Sequence, residues 1–203
     1  MAKKNYRSFT GIKEFHYGVL DADEAKIVET APERIEFLQS IGVDTPQEIS
    51  RAYGDNMVAE LATSNGPVTL STSFHKLPIE DRAKLLGLKT IAGGFAYTPE
   101  MRPPSVAAAF ARTAEDGGEE WLFFLKGIFT VANIEGKSKE DGAVDFGTDE
   151  VNAEFMPRAV EGIEGEDKAT MLVVYDAPGE HTNRNAMFEL VFGVKHPEDV
   201  VIP

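Results

Sequence analysis

Residues Ser105–Ile134 read SVAAAFARTAEDGGEEWLFFLKGIFTVANI. Two apolar runs, Ser105–Thr113 and Glu119–Ile134, flank the turn-forming stretch AEDGGE at Ala114–Glu119. Asp116-Gly117-Gly118 is a strong hairpin turn, because glycine adopts positive φ without a Cβ clash. The segment is therefore expected to be an antiparallel β-hairpin. In its second run Trp121, Phe123 and Leu125 fall on one face at strand spacing, and Leu122 and Phe124 on the other. A strand apolar on both faces is buried on both sides, either in the core or against another subunit.

The same strand style extends outward. Val68, Leu70, Thr72 and Phe74 alternate with Thr69, Ser71, Ser73 and His75, the period of a half-buried strand. TGIKEFHYGVLD (Thr10–Asp21) predicts a strand, as does ERIEFLQSIGVD (Glu33–Asp44). QEISRAYGDNMVAELATSNG (Gln47–Gly66) reads as two short strands around Gly54-Asp55-Asn56. ATMLVVYDA (Ala169–Ala177) and AMFELVFGV (Ala186–Val194) read as strands joined by the loop PGEHTNRN.

One helix is predicted, at Pro78–Gly87. Pro78 suits the first helical position, Glu80 and Asp81 sit at the positive end of the dipole, and Gly87 suits the residue past the end. Ile79, Ala83 and Leu86 share its apolar face, with Arg82 and Lys84 reaching solvent at the margins. The predicted fold class is mainly β: an antiparallel β-sandwich or partly closed barrel with one short flanking α-helix. No repeat or linker divides the chain, so residues 1–203 read as a single domain. Glu135–Glu150, EGKSKEDGAVDFGTDE, carries one aromatic, Phe146, among Gly, Lys, Asp and Glu, and is expected to be a long mobile acidic hairpin loop.

Composition excludes several functions. The 203 residues carry 20 Lys+Arg against 34 Asp+Glu, a net charge of −14, which repels nucleic acid and anionic lipid at long range. With no cysteine there is no disulfide framework, thiolate metal site or cysteine nucleophile. The N-terminal MAKKNYRSFTG lacks an apolar signal region, and the longest apolar runs fall far short of the roughly 20 residues of a membrane span. The chain is expected to be soluble and cytoplasmic when made.

No catalytic pattern stands out. The four histidines, His16, His75, His181 and His196, are not at ligand spacing from one another, so neither metal nor cofactor is expected. His75 falls on the polar phase of its strand. The acid pairs Asp21/Asp23, Glu80/Asp81, Glu115/Asp116 and Glu119/Glu120 sit in turns and at a helix start, and read as solvated. DGAVDFGTDE lacks the ordered oxygens of a calcium loop. Trp121, Phe123, Phe124 and Phe129 suggest a sugar platform only if they are exposed.

The order of elements resembles that of the major tail tube protein of long, non-contractile phage tails. The resemblance runs over roughly residues 8–195. It is carried by Phe15–Tyr17, the stretch Tyr53-Gly54-Asp55-Asn56 and the segment L-P-x-E-D-R-x-x-L-L-G at Leu77–Gly87. The strand beginning Pro103-Ser105-Val106-Ala107, the W-L-F-F-L-K-G strand Trp121–Gly127 and the charged hairpin ending at Ala153–Phe155 continue it.

The resemblance implies a structural virion protein, not an enzyme. It implies a β-sandwich with one flanking helix, assembled with copies of itself as hexameric rings stacked into a tube. Assembly takes place in the host bacterial cytoplasm, with tape measure, tail tip and tail terminator proteins as partners. DNA passes through the lumen without specific binding, and no membrane is involved. On this reading Lys137, Lys139, Glu140, Asp141 and Phe146 make the inter-ring contact, with Phe146 as the aromatic anchor. Arg51, Tyr53 and Asp55 make the subunit contact. The alternatives are a virion-attached or secreted carbohydrate-binding β-sandwich, which needs exposed aromatics on one face, and a small hydrolase using loop carboxylates, which needs acids converging in a pocket.

Overall fold

A computed structural model of the chain describes residues 6–55, 57–131 and 147–199. The strands, in chain order, are β1 (Phe9–Val19), β2 (Glu33–Ile35), β3 (Leu38–Asp44), β4 (Gln47–Gly54), β5 (Met57–Asn65) and β6 (Val68–Phe74). Helix α1 (Ile79–Leu86) follows, then β7 (Lys89–Ile91), β8 (Gly94–Ala96), β9 (Val106–Ala114), β10 (Glu119–Val131) and β11 (Asp149–Phe155). The chain continues through β12 (Arg158–Ala159), β13 (Lys168–Ala169), β14 (Met171–Asp176) and α2 (Thr182–Phe192). The fold is mainly β, antiparallel and sandwich-like, with no closed barrel among the described residues.

The quoted hairpin is its spine. β9 and β10 pair from Glu119↔Thr113 to Gly127↔Val106, and the turn between them places Gly117 at φ 86°. On its other edge β10 pairs first with β14, Glu119↔Asp176 to Phe124↔Met171, and then with β11, Gly127↔Phe155 to Val131↔Val151. The changeover coincides with a register shift between Phe124 and Gly127. Gly127 is required there, because a Cβ would lie 2.4 Å from the Phe155 ring. One strand thus joins two half-sheets in the order β2-β1-β9-β10-β11-β6-β3.

Both faces of β10 are covered by this chain itself. Leu122, Phe124 and Phe129 join Phe15, Tyr17, Phe74, Phe155 and the α1 residues Leu85 and Leu86 in one core. Trp121, Phe123 and Leu125 join Phe188, Val191 and Phe192 of α2 in a second. Ala107, Ala109 and Ala111 face α2. These small side chains leave room for its phenylalanines. The doubly apolar strand is therefore core and needs no neighbouring subunit to cover it.

Several expectations are corrected. Ala186–Val194 is not a strand: it is the body of α2, which begins at Thr182 inside the expected loop, so the described residues hold two α-helices. Phe188, Val191 and Phe192 lie at helical spacing and are buried. Asp176 at the end of β14 accepts the N–H groups of Asn183 (3.0 Å) and Arg184 (2.8 Å), which supplies the helix start that His181 does not cap. In α1, Leu85 is buried with Ala83 and Leu86, whereas Ile79 is 51% exposed. Pro78 caps the helix from outside, with ψ 144°. Lys84 reaches solvent as expected while pairing with Glu33, whereas Arg82 is half-buried and pairs with Asp149.

Glu33–Asp44 breaks into two strands at Phe37, whose φ of 60° no continuous strand allows. Asp149 and Glu150 belong to β11 and not to the expected loop, the rest of which lies almost wholly outside the described residues. No helix among the described residues is long and apolar enough to cross a membrane.

Candidate functional site

Two regions depart from an ordinary folded interior. The first is the β4–β5 ribbon. Its strands, 8 and 9 residues long, pair only with each other among the described residues. Directly paired residues of an antiparallel ribbon point to the same face. One face therefore carries the pairs Ile49↔Thr63, Arg51↔Leu61 and Tyr53↔Val58. The other carries Glu48↔Ser64, Ser50↔Ala62 and Ala52↔Glu60. The ribbon is amphipathic, yet its apolar face is bare: Ile49 is 58% exposed, Tyr53 69% and Leu61 62%. A register shift between Ala52 and Tyr53 and a left-handed Asp55 at φ 49° shape the tip. The three residues assigned to the subunit contact are thus brought together, with Arg51 and Tyr53 on the bare face and Asp55 in the turn.

Lys137, Lys139, Glu140, Asp141 and Phe146, assigned to the inter-ring contact, lie outside the described residues. Trp121, Phe123, Phe124 and Phe129 are fully buried, so they form no sugar platform. His75 is exposed on its strand end, edge-on to Phe37 at 6.5 Å. It lines a cleft of about 790 Å³ between the β2–β3 junction and the start of α1. Arg34, Lys76 and Arg82 are offset there by Glu36, Glu80, Asp81 and Asp149, so the cleft selects no charge. Beside it the Tyr17 hydroxyl donates to Asp81 Oδ1 at 2.6 Å, which makes Asp81 a packed acid and not a solvated one. Burial pushes Asp81 up, against the opposing effect of this hydrogen bond. Burial and Asp81 together hold the Tyr17 hydroxyl far above the usual phenol range.

The second region was not legible as a motif. His16 of β1 and His196, which follows α2, are 2% and 1% exposed and stand 5.3 Å apart, ring centre to ring centre. Both pack edge-on against Phe188, at 5.4 and 4.6 Å, and His196 also meets Trp121 at 5.8 Å. Glu14 completes the group. A one-residue bulge between Lys13 and His16, with Glu14 at φ 57°, sets its carboxylate beside both rings. Its Oε2 lies 3.8 Å from His16 Nε2 and 3.5 Å from His196 Nε2. Lys13 Nζ holds the other oxygen, Oε1, at 3.3 Å and pairs with Glu119, which accepts the Trp121 indole N–H at 3.1 Å. The two imidazoles, with Lys13 behind them, hold Glu14 far below the usual carboxylate range despite its burial. Burial pulls His16 down, so it favours the neutral ring.

Arg184 fixes the far side of this group. Its guanidinium binds Glu198 at 3.0 Å and Asp199 at 3.1 Å, pinning the turn that presents His196. The absence of local ligand spacing among the histidines is correct along the chain, but 180 positions of separation hid the juxtaposition. The one sequence signal was the polar His16 and His196 set close to apolar segments. Compared with protein-family models and with curated protein sequences, the chain matches none.

Proposed function

We propose that this chain is a structural subunit that self-assembles into a tube of the phage-tail type, built from stacked, six-membered rings, and that it performs no catalysis. The β4–β5 ribbon carries the reading. A lone two-stranded ribbon is marginal in water, and a bare apolar face on one invites a partner. A second copy of the chain supplies that partner, with Tyr53 and Leu61 as the apolar contact and Arg51 and Asp55 as its polar edge. The resemblance of the Leu77–Gly87 and Trp121–Gly127 segments to tail tube proteins supports the same reading, as does the sandwich-like architecture. A net charge of −14 suits a conduit through which DNA slides without sticking. The virion tail is the proposed location, and tape measure, tip and terminator proteins are the proposed partners.

The test is negative-stain electron microscopy of the purified chain at low and high concentration, alongside its mass in solution. Rings or tubes with a central channel are expected. Their loss is expected in a Tyr53→Ser, Leu61→Ser variant that keeps the wild-type circular dichroism. A chain that stays monomeric at every concentration and ionic strength, and whose β4–β5 amides exchange as slowly as those of β9–β10, needs no partner and overturns the reading.

A further inference from the structure

We propose that Glu14, His16 and His196 bind one divalent transition-metal ion of the zinc class, and that the ion ties the C-terminal turn to β1. Three donor atoms converge, Glu14 Oε2, His16 Nε2 and His196 Nε2, and the group's ligand atoms all lie within 4.8 Å of one another. The separations of 3.8 and 3.5 Å from Oε2 to the two nitrogens are too long for good N–H···O hydrogen bonds, which run to about 3.2 Å. They approach the spacing of ligands around a shared ion, since donors about 2.0–2.2 Å from a tetrahedral zinc stand roughly 3.3–3.6 Å apart.

An independent observation points the same way. Glu14 Oε2, both ring nitrogens of His16 and Nε2 of His196 are buried and without hydrogen-bond partners. Buried polar atoms are nearly always satisfied, and one ion satisfies the three that converge, Glu14 Oε2, His16 Nε2 and His196 Nε2, whereas His16 Nδ1, on the other side of its ring, is outside its reach. The donor set selects its chemistry. Two imidazoles and a single carboxylate oxygen suit zinc, cobalt or nickel, whereas magnesium and calcium require a shell of oxygens. Lys13 occupies the other carboxylate oxygen and so leaves Oε2 to the ion.

A ligating histidine normally donates its second N–H to an acceptor. At present the Glu198 backbone N–H donates to His196 Nδ1 at 3.3 Å, and Glu198 Oε2 lies 3.8 Å from the same atom. Metal at Nε2 requires the proton on Nδ1, so the Glu198 backbone N–H gives up that nitrogen for solvent and the Glu198 carboxylate, already held by Arg184, closes from 3.8 Å to accept from it. The ion then joins residues 14 and 16 to residue 196, closing nearly the whole chain into a loop. The inference is independent of the tube reading.

The test uses the full chain stripped with a chelator and titrated with Zn²⁺ alone, with Mg²⁺ as a control. One equivalent per chain is expected, with a rise in melting temperature that Mg²⁺ does not reproduce. Glu14→Gln, which keeps shape and volume, is expected to weaken Zn²⁺ binding at least tenfold. Because the histidines are buried and their variants can misfold, the wild-type imidazole ¹⁵N signals provide the second readout. Zn²⁺ is expected to shift His16 and His196 and to leave His75 and His181 in place. Absence of stoichiometric binding, binding unchanged in Glu14→Gln, or shifts confined to the exposed histidines overturns the proposal. In the first case a buried water satisfies the cluster, and in the other two the acidic surface binds the ion.

Discussion

The chain contains two β-ribbons of similar local character and opposite fate. In β9–β10 every phase of the pleat is apolar, and both faces are sealed, one by the α1 side of the sandwich and the other by α2. In β4–β5 the cross-strand pairs divide into an apolar face and a polar face, and neither is covered by the described residues. The difference teaches that hairpin formation and hairpin burial are separate events. Turn chemistry and strand propensity make both ribbons. Only the number of apolar faces, and what the rest of the chain can lay over them, decides which ribbon becomes core and which stays available to a partner.

The largest effect expected on this contrast comes from emptying β10. Trp121→Ala removes the ring that contacts Phe123, Phe188 and His196, and is expected to cost about 3–5 kcal/mol, read as a lower denaturant midpoint. The same truncation at Tyr53 is expected to change the stability of the unassembled chain by less than about 0.5 kcal/mol while abolishing rings and tubes. A destabilisation at Tyr53 comparable to that at Trp121 breaks the contrast.

Turn substitutions give a smaller effect. Gly117→Ala places a side chain at φ 86° and is expected to cost about 1 kcal/mol, seen in thermal melts. Salt sharpens the comparison from the assembly side. Copies each carrying −14 repel one another, so raising ionic strength is expected to favour assembly through β4–β5 and to leave the β9–β10 core unchanged. Sedimentation at low and high salt checks this, and assembly that weakens with salt contradicts an apolar ribbon contact.

The smallest effect concerns pH. Burial raises Asp81 above its ordinary value, so the folded chain holds this proton more tightly than the unfolded chain does. Its contribution to stability is complete below the ordinary carboxylate range and is lost as pH rises through that range to the folded value. Asp81→Asn cannot lose a proton. Its melting temperature relative to wild type is therefore expected to improve modestly between acid and neutral pH, measured by thermal melts across that range.

How much was legible depended on whether the deciding interaction was local. The period-two alternation of Val68–Phe74, the Gly117 turn and the Gly87 stop of α1 follow from contacts within a few residues, and each appears where the sequence places it. Ala186–Val194 was misread because Phe188, Leu190 and Phe192 fit a strand, while Phe188, Val191 and Phe192 fit a helix equally well. The tie was broken from a distance, by Asp176 capping the helix N-terminus and by the alanine-lined face of β9 that accepts α2. Break points such as Phe37 carry no glycine to announce them.

The sequence by itself determined the mainly β character, the spine hairpin, the helix after Leu77 and the strongly acidic surface, because periodicity, turn chemistry and charge are properties of neighbouring residues. Only the tertiary structure decided which faces are buried, which stretch becomes α2, and that Glu14 and His16 meet His196 across nearly the whole chain. Those outcomes depend on which distant surfaces come to lie against one another. No window of sequence contains both partners of such a contact.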